Sequence, residues 1–157
     1  MKRCLVMDLL ATDQRCRPET CDVGVTVILD TSAIIAVVLT EQDAEALSRR
    51  MREADFVGVG APTLVECGAV LAGRKDHPWR ELLDGFLSRF DVEVLPFSTA
   101  HWRVAVHAYH QYGKGSGQSA QLNFGDCLTY ATARFAGQPL LHLGNDFNRT
   151  DLVVVQL

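Results

Sequence analysis

A short apolar run, Val27, Ile28 and Leu29, ends on Asp30 and gives way at once to Thr31, Ser32, Ala33, Ile34 and Ile35. The run reads as a buried strand, and the spacing beyond it reads as the start of a helix. From Thr26 onward the chain repeats this alternation, which restricts it to an α/β fold with a largely parallel sheet. In such a sheet, ligands bind in the crevice beyond the carboxyl ends of the strands. A carboxylate that closes the first strand is therefore delivered to the usual address of an active site.

The alternation continues in order. Strands are expected at Thr26 to Asp30, Phe56 to Val59, Val92 to Leu95, Pro139 to Leu143 and Asp151 to Val155. Helices are expected at Thr31 to Leu39 and at Glu41 to Ala54, where Ala44, Leu47 and Met51 share a stripe. Pro62 suits the first turn of a helix that carries Leu64, Val65, Ala69 and Leu71 and ends near Gly73. Further helices are expected at Trp79 to Phe90, from the Ser98 cap to Tyr112, and at Leu122 to Ala136. Gly113 to Ser119 is a glycine-rich loop, too short for an interdomain linker and read as a mobile border of the active site. Residues 1 to 24 carry balanced charges and no period that continues into Val25. They read as a poorly structured N-terminal extension, either a tail or an upstream translation artefact, before a domain spanning 25 to 157.

At 157 residues, 22% charged and 48% hydrophobic, the chain has the size and composition of one ordinary globular domain. Its apolar runs fall far short of a membrane span. A formal net charge of −4 argues against nonspecific coating of nucleic acid, while leaving room for a local basic rim. The five cysteines, Cys4, Cys16, Cys21, Cys67 and Cys127, are odd in number and lack CxxC spacing, which argues against a disulfide framework or zinc knuckle. Cys67 and Cys127 are expected to pack as small core residues. Asp8 interrupts the apolar piece after Lys2 and Arg3, which argues against a secretory signal, so a cytoplasmic location is expected.

Other acids arrive at the same edge as Asp30. Asp126 falls in the first turn of the late helix, Asp146 just after the penultimate strand, and Glu66 one turn into the helix after the second strand. Each has a bland alternative. Asp30 suits a helix N-cap, Asn123 to Asp126 a variant capping box, and Asn145 and Asp146 an Asx turn. Glu66 interrupts an apolar run, or else faces solvent from its helix. Several carboxylates within about 4 Å of one another repel by several kcal/mol at an effective dielectric near 20, unless their pKa values rise or a cation joins them. Oxygen-only ligands select hard ions such as Mg²⁺ or Mn²⁺, which activate water and stabilise the charge of phosphodiester cleavage.

Five segments, VILDTSA at 27 to 33, TLVE at 63 to 66, YGKG at 112 to 115, LNFGDC at 122 to 127 and PLLHLGNDF at 139 to 147, carry a family resemblance. In order and spacing the chain resembles a PIN-domain ribonuclease of the VapC type, the toxin of bacterial VapBC toxin–antitoxin pairs, over about residues 26 to 157. The resemblance implies a PIN-like three-layer fold, with a central mostly parallel sheet flanked by helices. It implies an endoribonuclease that leaves 5′-phosphate and 3′-hydroxyl ends and inhibits translation. By the same resemblance Asp30 and Asp126 are the principal Mg²⁺ ligands, with Mn²⁺ able to substitute, and Glu66 completes the site. Asn145 and Asp146 compete for the fourth acidic position. Thr31 and Ser32 are candidates to support the carboxylates, or to cap the first helix. Lys114, Arg74, Lys75 and Arg149 are candidates to line an RNA path, or are ordinary solvated charges.

The implied partners are an RNA substrate, a VapB-type antitoxin and a second copy of the chain, with no membrane. The helices at 41 to 54 and 79 to 90, with Leu47, Met51, Leu82, Leu83 and Phe86, offer the antitoxin a groove unless those residues are core. Two other classes compete. A degenerate PIN module would bind RNA or a protein without cutting. A phosphotransfer domain would also place an Asp after the first strand, but Ser32 stands where a haloacid-dehalogenase motif wants a second Asp, and no lysine follows Leu140 to Leu143 as a receiver domain requires.

Overall fold

The computed structural model describes residues 25–74 and 78–157. The proposed N-terminal extension therefore lies outside the described residues, as does Lys75. Four strands form one sheet, β1 Thr26–Leu29, β2 Phe56–Gly60, β3 Glu93–Leu95 and β4 Leu140–Leu141. Their order is β3-β2-β1-β4 and every pairing is parallel. Thr26 faces Phe56, Ile28 faces Leu140, and Gly58 faces Glu93.

Six α-helices supply the crossovers: α1 Thr31–Val38, α2 Ala44–Glu53, α3 Ala61–Ala72, α4 Trp79–Arg89, α5 Thr99–Tyr112 and α6 Phe124–Ala136. The strands need cover on both faces because alternate residues point to opposite sides. Val27, Leu29, Val57 and Val59 join Ile34, Leu47, Leu71 and Phe86 in one core. Ile28 and Leu140 join Ala108, Leu122, Tyr130 and Phe147 in the other. The result is a three-layer α/β sandwich, the architecture that the resemblance implies.

The chain steps from β1 through β2 to β3 on one side, then crosses back to place β4 on the other side of β1. That reversal opens the crevice of a parallel sheet at the carboxyl ends of β1 and β4. Asp30 and the segment after Leu141 stand there because the topology changes direction there.

Three expectations need correction. The last strand, Asp151 to Val155, is a single bridge of Val154 to Leu140, held by Leu140 N–H to Val153 O and Val155 N–H to Leu140 O at 2.9 Å each. An edge segment beside a strand of two residues has no longer partner to pair with. Helix α2 begins at Ala44 instead of Glu41, since a turn closed by Ala44 N–H on Glu41 O at 3.1 Å precedes it. Leu47, Met51 and Phe86 are buried in the core and do not border the apolar groove, whereas Leu83, though buried, does. The apolar groove lies instead between α3 and α4, where Leu64, Val65, Gly68, Ala69, Trp79 and Leu87 border a space of about 560 Å³.

Candidate active site

Asp30 is the N-cap of α1, in extended backbone geometry, and is only 4% exposed. Its Oδ2 accepts from Ser32 N–H at 2.9 Å and from the Ser32 hydroxyl at 2.5 Å. The same hydroxyl oxygen accepts from Leu143 N–H at 2.9 Å, which ties the chain leaving β4 to the carboxylate. Asp30 Oδ1 is left over. Among the described residues it is the one buried side-chain oxygen or nitrogen without a hydrogen-bond partner. A buried carboxylate oxygen in that state costs about 1–3 kcal/mol, a cost that a bound cation would relieve. The cap and ligand readings are thus divided between two oxygens of one carboxylate.

Glu66 enters from α3, and Thr31 Oγ1 donates to its Oε2 at 2.8 Å. Its carboxylate lies flat against the backbone of α6 at Gly125, where a Cβ would stand 2.6 Å from Glu66 Cδ. A side chain at Gly125 would push the Glu66 carboxylate out of this position, a conflict that only the packing of α3 on α6 creates. Behind it, Thr63 and Thr129 hydroxyls bond at 2.9 Å and hold the two helices together.

Asp126 closes a full capping box on α6. Its Oδ2 accepts from Asn123 N–H at 2.6 Å, while Asn123 Oδ1 accepts from Asp126 N–H at 2.9 Å. Partial burial raises its pKa to about 6, opposed by the Asn123 N–H and reinforced by the negative charges of Asp30, Glu66 and Asp146. All four acids therefore share one electrostatic neighbourhood. Asp146 is exposed at the head of a 3₁₀ turn, Phe147–Arg149, and its side chain makes no capping bond. Asn145 is exposed too, and its Oδ1 sits 3.4 Å from Asn148 Nδ2.

Among the described residues, no three acidic, histidine or cysteine side chains already converge as a closed metal cage. An ion such as Mg²⁺ does not need one, since it keeps several waters and binds through one or two carboxylates. The donor set, oxygen-only and unneutralised, fits such an ion. Cys67 and Cys127 are buried, and burial pushes their thiols up to about 12 and about 11. They are packing residues.

The basic residues divide. Lys114 is exposed on the loop after α5, where its N–H donates to Leu122 O at 3.0 Å and a bridge joins Gly113 to Leu122. Arg149 Nη1 donates to Ser119 O at 2.7 Å, linking the 3₁₀ turn to the end of that loop. Arg74 lies eight residues beyond Glu66, about 12 Å by the helical rise, at the opposite end of α3 from the acids. It pairs with Glu41 at 3.7 Å.

With this geometry in view, three comparisons agree. A family model described as PIN domain matches residues 27–153. Ribonuclease VapC28 of Mycobacterium tuberculosis is 42% identical over 123 residues, covering 78% of this chain and 92% of the relative. Two solved structures share the fold. The VapBC2 structure from Rickettsia felis has a TM-score of 0.67 at 16% identity and covers 83% of this chain and 97% of that one. M. tuberculosis VapC20, described as a Sarcin-Ricin loop cleaving toxin, has a TM-score of 0.65 at 18% identity, over 83% of this chain and 99% of that one. The chain belongs to the PIN-domain family, among its VapC ribonucleases.

Proposed function

We propose that this chain is the toxin of a type II toxin–antitoxin pair and that Asp30, Glu66, Asp126 and Asp146 form its endoribonuclease site around Mg²⁺, with Mn²⁺ able to replace it. The observation that carries the reading is the buried, partnerless Asp30 Oδ1 together with an Asp126 whose pKa is raised by burial and by the charges of three other acids. Asp30 and Asp126 are the ion's principal ligands, Glu66 completes the set, and Asp146 supplies the fourth charge. Asp146 is preferred over Asn145 because its negative charge reaches Asp126 and its side chain is spared from capping.

The ion supplies charge neutralisation on the phosphodiester and a water of lowered pKa. The protein's part is orientation. Ser32 holds Asp30 through Oδ2 and leaves Oδ1 without a partner, Thr31 holds Glu66, and the capping box holds Asp126. Lys114 and Arg149 border the same edge and suit the RNA backbone; Arg74 is poorly placed for it.

A VapB-type antitoxin is the expected partner, and the α3–α4 groove suits its apolar side chains. A homodimer is expected as well. No helix among the described residues is long and apolar enough to cross a membrane, which accords with a cytoplasmic toxin. Sequencing RNA ends after induced expression tests the nuclease reading. Wild-type protein is expected to create new 5′-phosphate ends, and the Asp126→Asn variant is expected to create none. Equal cleavage by the two, or purified activity that persists in EDTA, refutes it.

A further inference from the structure

Phe124 occupies the first position of α6, between the Asn123 cap and Gly125. It is 73% exposed. Neither core cluster contains it. An apolar ring held in water forgoes the gain of burial, and the capping box is complete without it, being made by Asn123 and Asp126 side chains. Local folding therefore gives no reason for an aromatic residue here.

Its surroundings suggest one. The ring is two residues from Asp126 and next to the glycine against which Glu66 lies. Two residues before it Leu122 is buried and accepts from the Lys114 backbone N–H, so the helix start that carries the ring is tied to the loop that carries Lys114. Gln121 and Asn123, three residues and one residue before it in the chain, are exposed and polar. An apolar protein segment would find its contiguous surface in the α3–α4 groove. A lone aromatic face among polar groups and a lysine, beside a phosphodiester site, matches the way single-stranded nucleic acid is held, by stacked bases and a cationic backbone track.

We propose that Phe124 is the platform on which an unpaired RNA base adjacent to the scissile phosphodiester stacks, with Lys114 serving the neighbouring phosphate. The proposal rests on the ribonuclease reading and adds to it a contact with an unpaired base that can turn outward. The capping box pre-orders the ring because it fixes the backbone on both sides of it. Purines, with the larger π-face, bind better than uracil at this nucleotide.

The test uses the full chain silenced by Asp126→Asn, with Mg²⁺ present and binding followed by fluorescence anisotropy. The probes are a fluorescein-labelled 12-nucleotide oligoadenylate and an abasic 12-mer of the same backbone. Phe124→Leu is expected to weaken oligoadenylate binding about tenfold, Phe124→Trp to preserve it, and the abasic chain to bind both alike within about twofold. Equal losses on both probes would mark a structural effect and overturn the proposal. So would unchanged oligoadenylate binding, with or without a weakened complex with co-expressed antitoxin, and so would no measurable binding with Phe124 intact. Failure of the ribonuclease reading is separate, since it shows as cleavage by Asp126→Asn protein in the RNA-end experiment, where Phe124 is unchanged.

Discussion

Helix α6 deals with a carboxylate at each end, and it treats the two in opposite ways. At its first turn Asp126 is pushed up to about 6 by burial and by three neighbouring acids. Toward its last turn Tyr130 donates to Asp151 at 2.5 Å and Arg134 approaches the same carboxylate at 3.8 Å. Asp151 is held below its ordinary value, first by the Tyr130 hydroxyl. The positive helix N-terminus and the Asn123 N–H both favour a charged Asp126, yet burial and the neighbouring acids outweigh them. A structural carboxylate is given its partners by the fold. Asp126 is instead set among like charges, an arrangement that a bound cation would relieve.

The largest way to break this contrast is with the metal. Asp126→Asn should lower single-turnover cleavage at least ~100-fold, the loss of several kcal/mol of transition-state stabilisation. Asp151→Asn should stay within about threefold of wild type. If the two lose activity equally, the ends of α6 do not differ in kind. Thermal melts give the next effect. Mg²⁺ at about 100 times its Kd should stabilise wild-type protein by about 2.7 kcal/mol, a shift of roughly 5–10 °C at this size. The shift should vanish in Asp126→Asn and persist in Tyr130→Phe.

Gly125→Ala sharpens the steric side. Alanine would normally stabilise a helix interior by about 1 kcal/mol relative to glycine. Here the new Cβ meets the Glu66 carboxylate, the end of a flexible side chain that can swing aside, so stability by denaturant titration should change by less than about 1 kcal/mol while cleavage falls as Glu66 is displaced. Unchanged cleavage would show that Glu66 does not act from there.

The smallest effect is in pH, measured as melting temperature in EDTA from pH 3 to 7. Asp126 binds its proton more tightly folded than unfolded. That gives the metal-free protein a stability present below about pH 4 and lost as pH rises to about 6. Asp151 acts with the opposite sign, stabilising above its unfolded value and losing that contribution as pH falls through its depressed folded one. Tyr130→Phe should remove about 0.5–1 kcal/mol of that acid-side contribution, discounted because Asp151 is half exposed. Parallel curves for wild type and Tyr130→Phe would show that the hydroxyl does not hold Asp151.

Much of the site was legible because it hangs on backbone periodicity. Asp30, Asp126 and Asp146 could be assigned to one edge from strand and helix order alone, and Glu66 from its place one turn into a helix. What was not legible depends on which side of an element a neighbour covers. Leu47 and Met51 have the same amphipathic spacing whether they meet a core or a partner, and the burial of α2 against α1 decided for the core. The segment 151 to 155 has strand-like residues, but its pairing depends on the length of β4, which is only two residues. Nothing near Arg74 in the chain reveals that α3 carries it away from the acids.

By itself the sequence determined the alternation of strand and helix, the parallel sheet, the acids at its carboxyl edge and the caps that stiffen them, because each is a local pattern of a few residues. Only the tertiary structure decided that Asp30 has one satisfied oxygen and one bare one, that the Glu66 carboxylate lies against Gly125, and that Asp126 sits among like charges while Asp151 does not. Those properties belong to atoms from segments far apart in the chain, and only the packing of α3 and α6 around the β1–β4 crevice brings them within range.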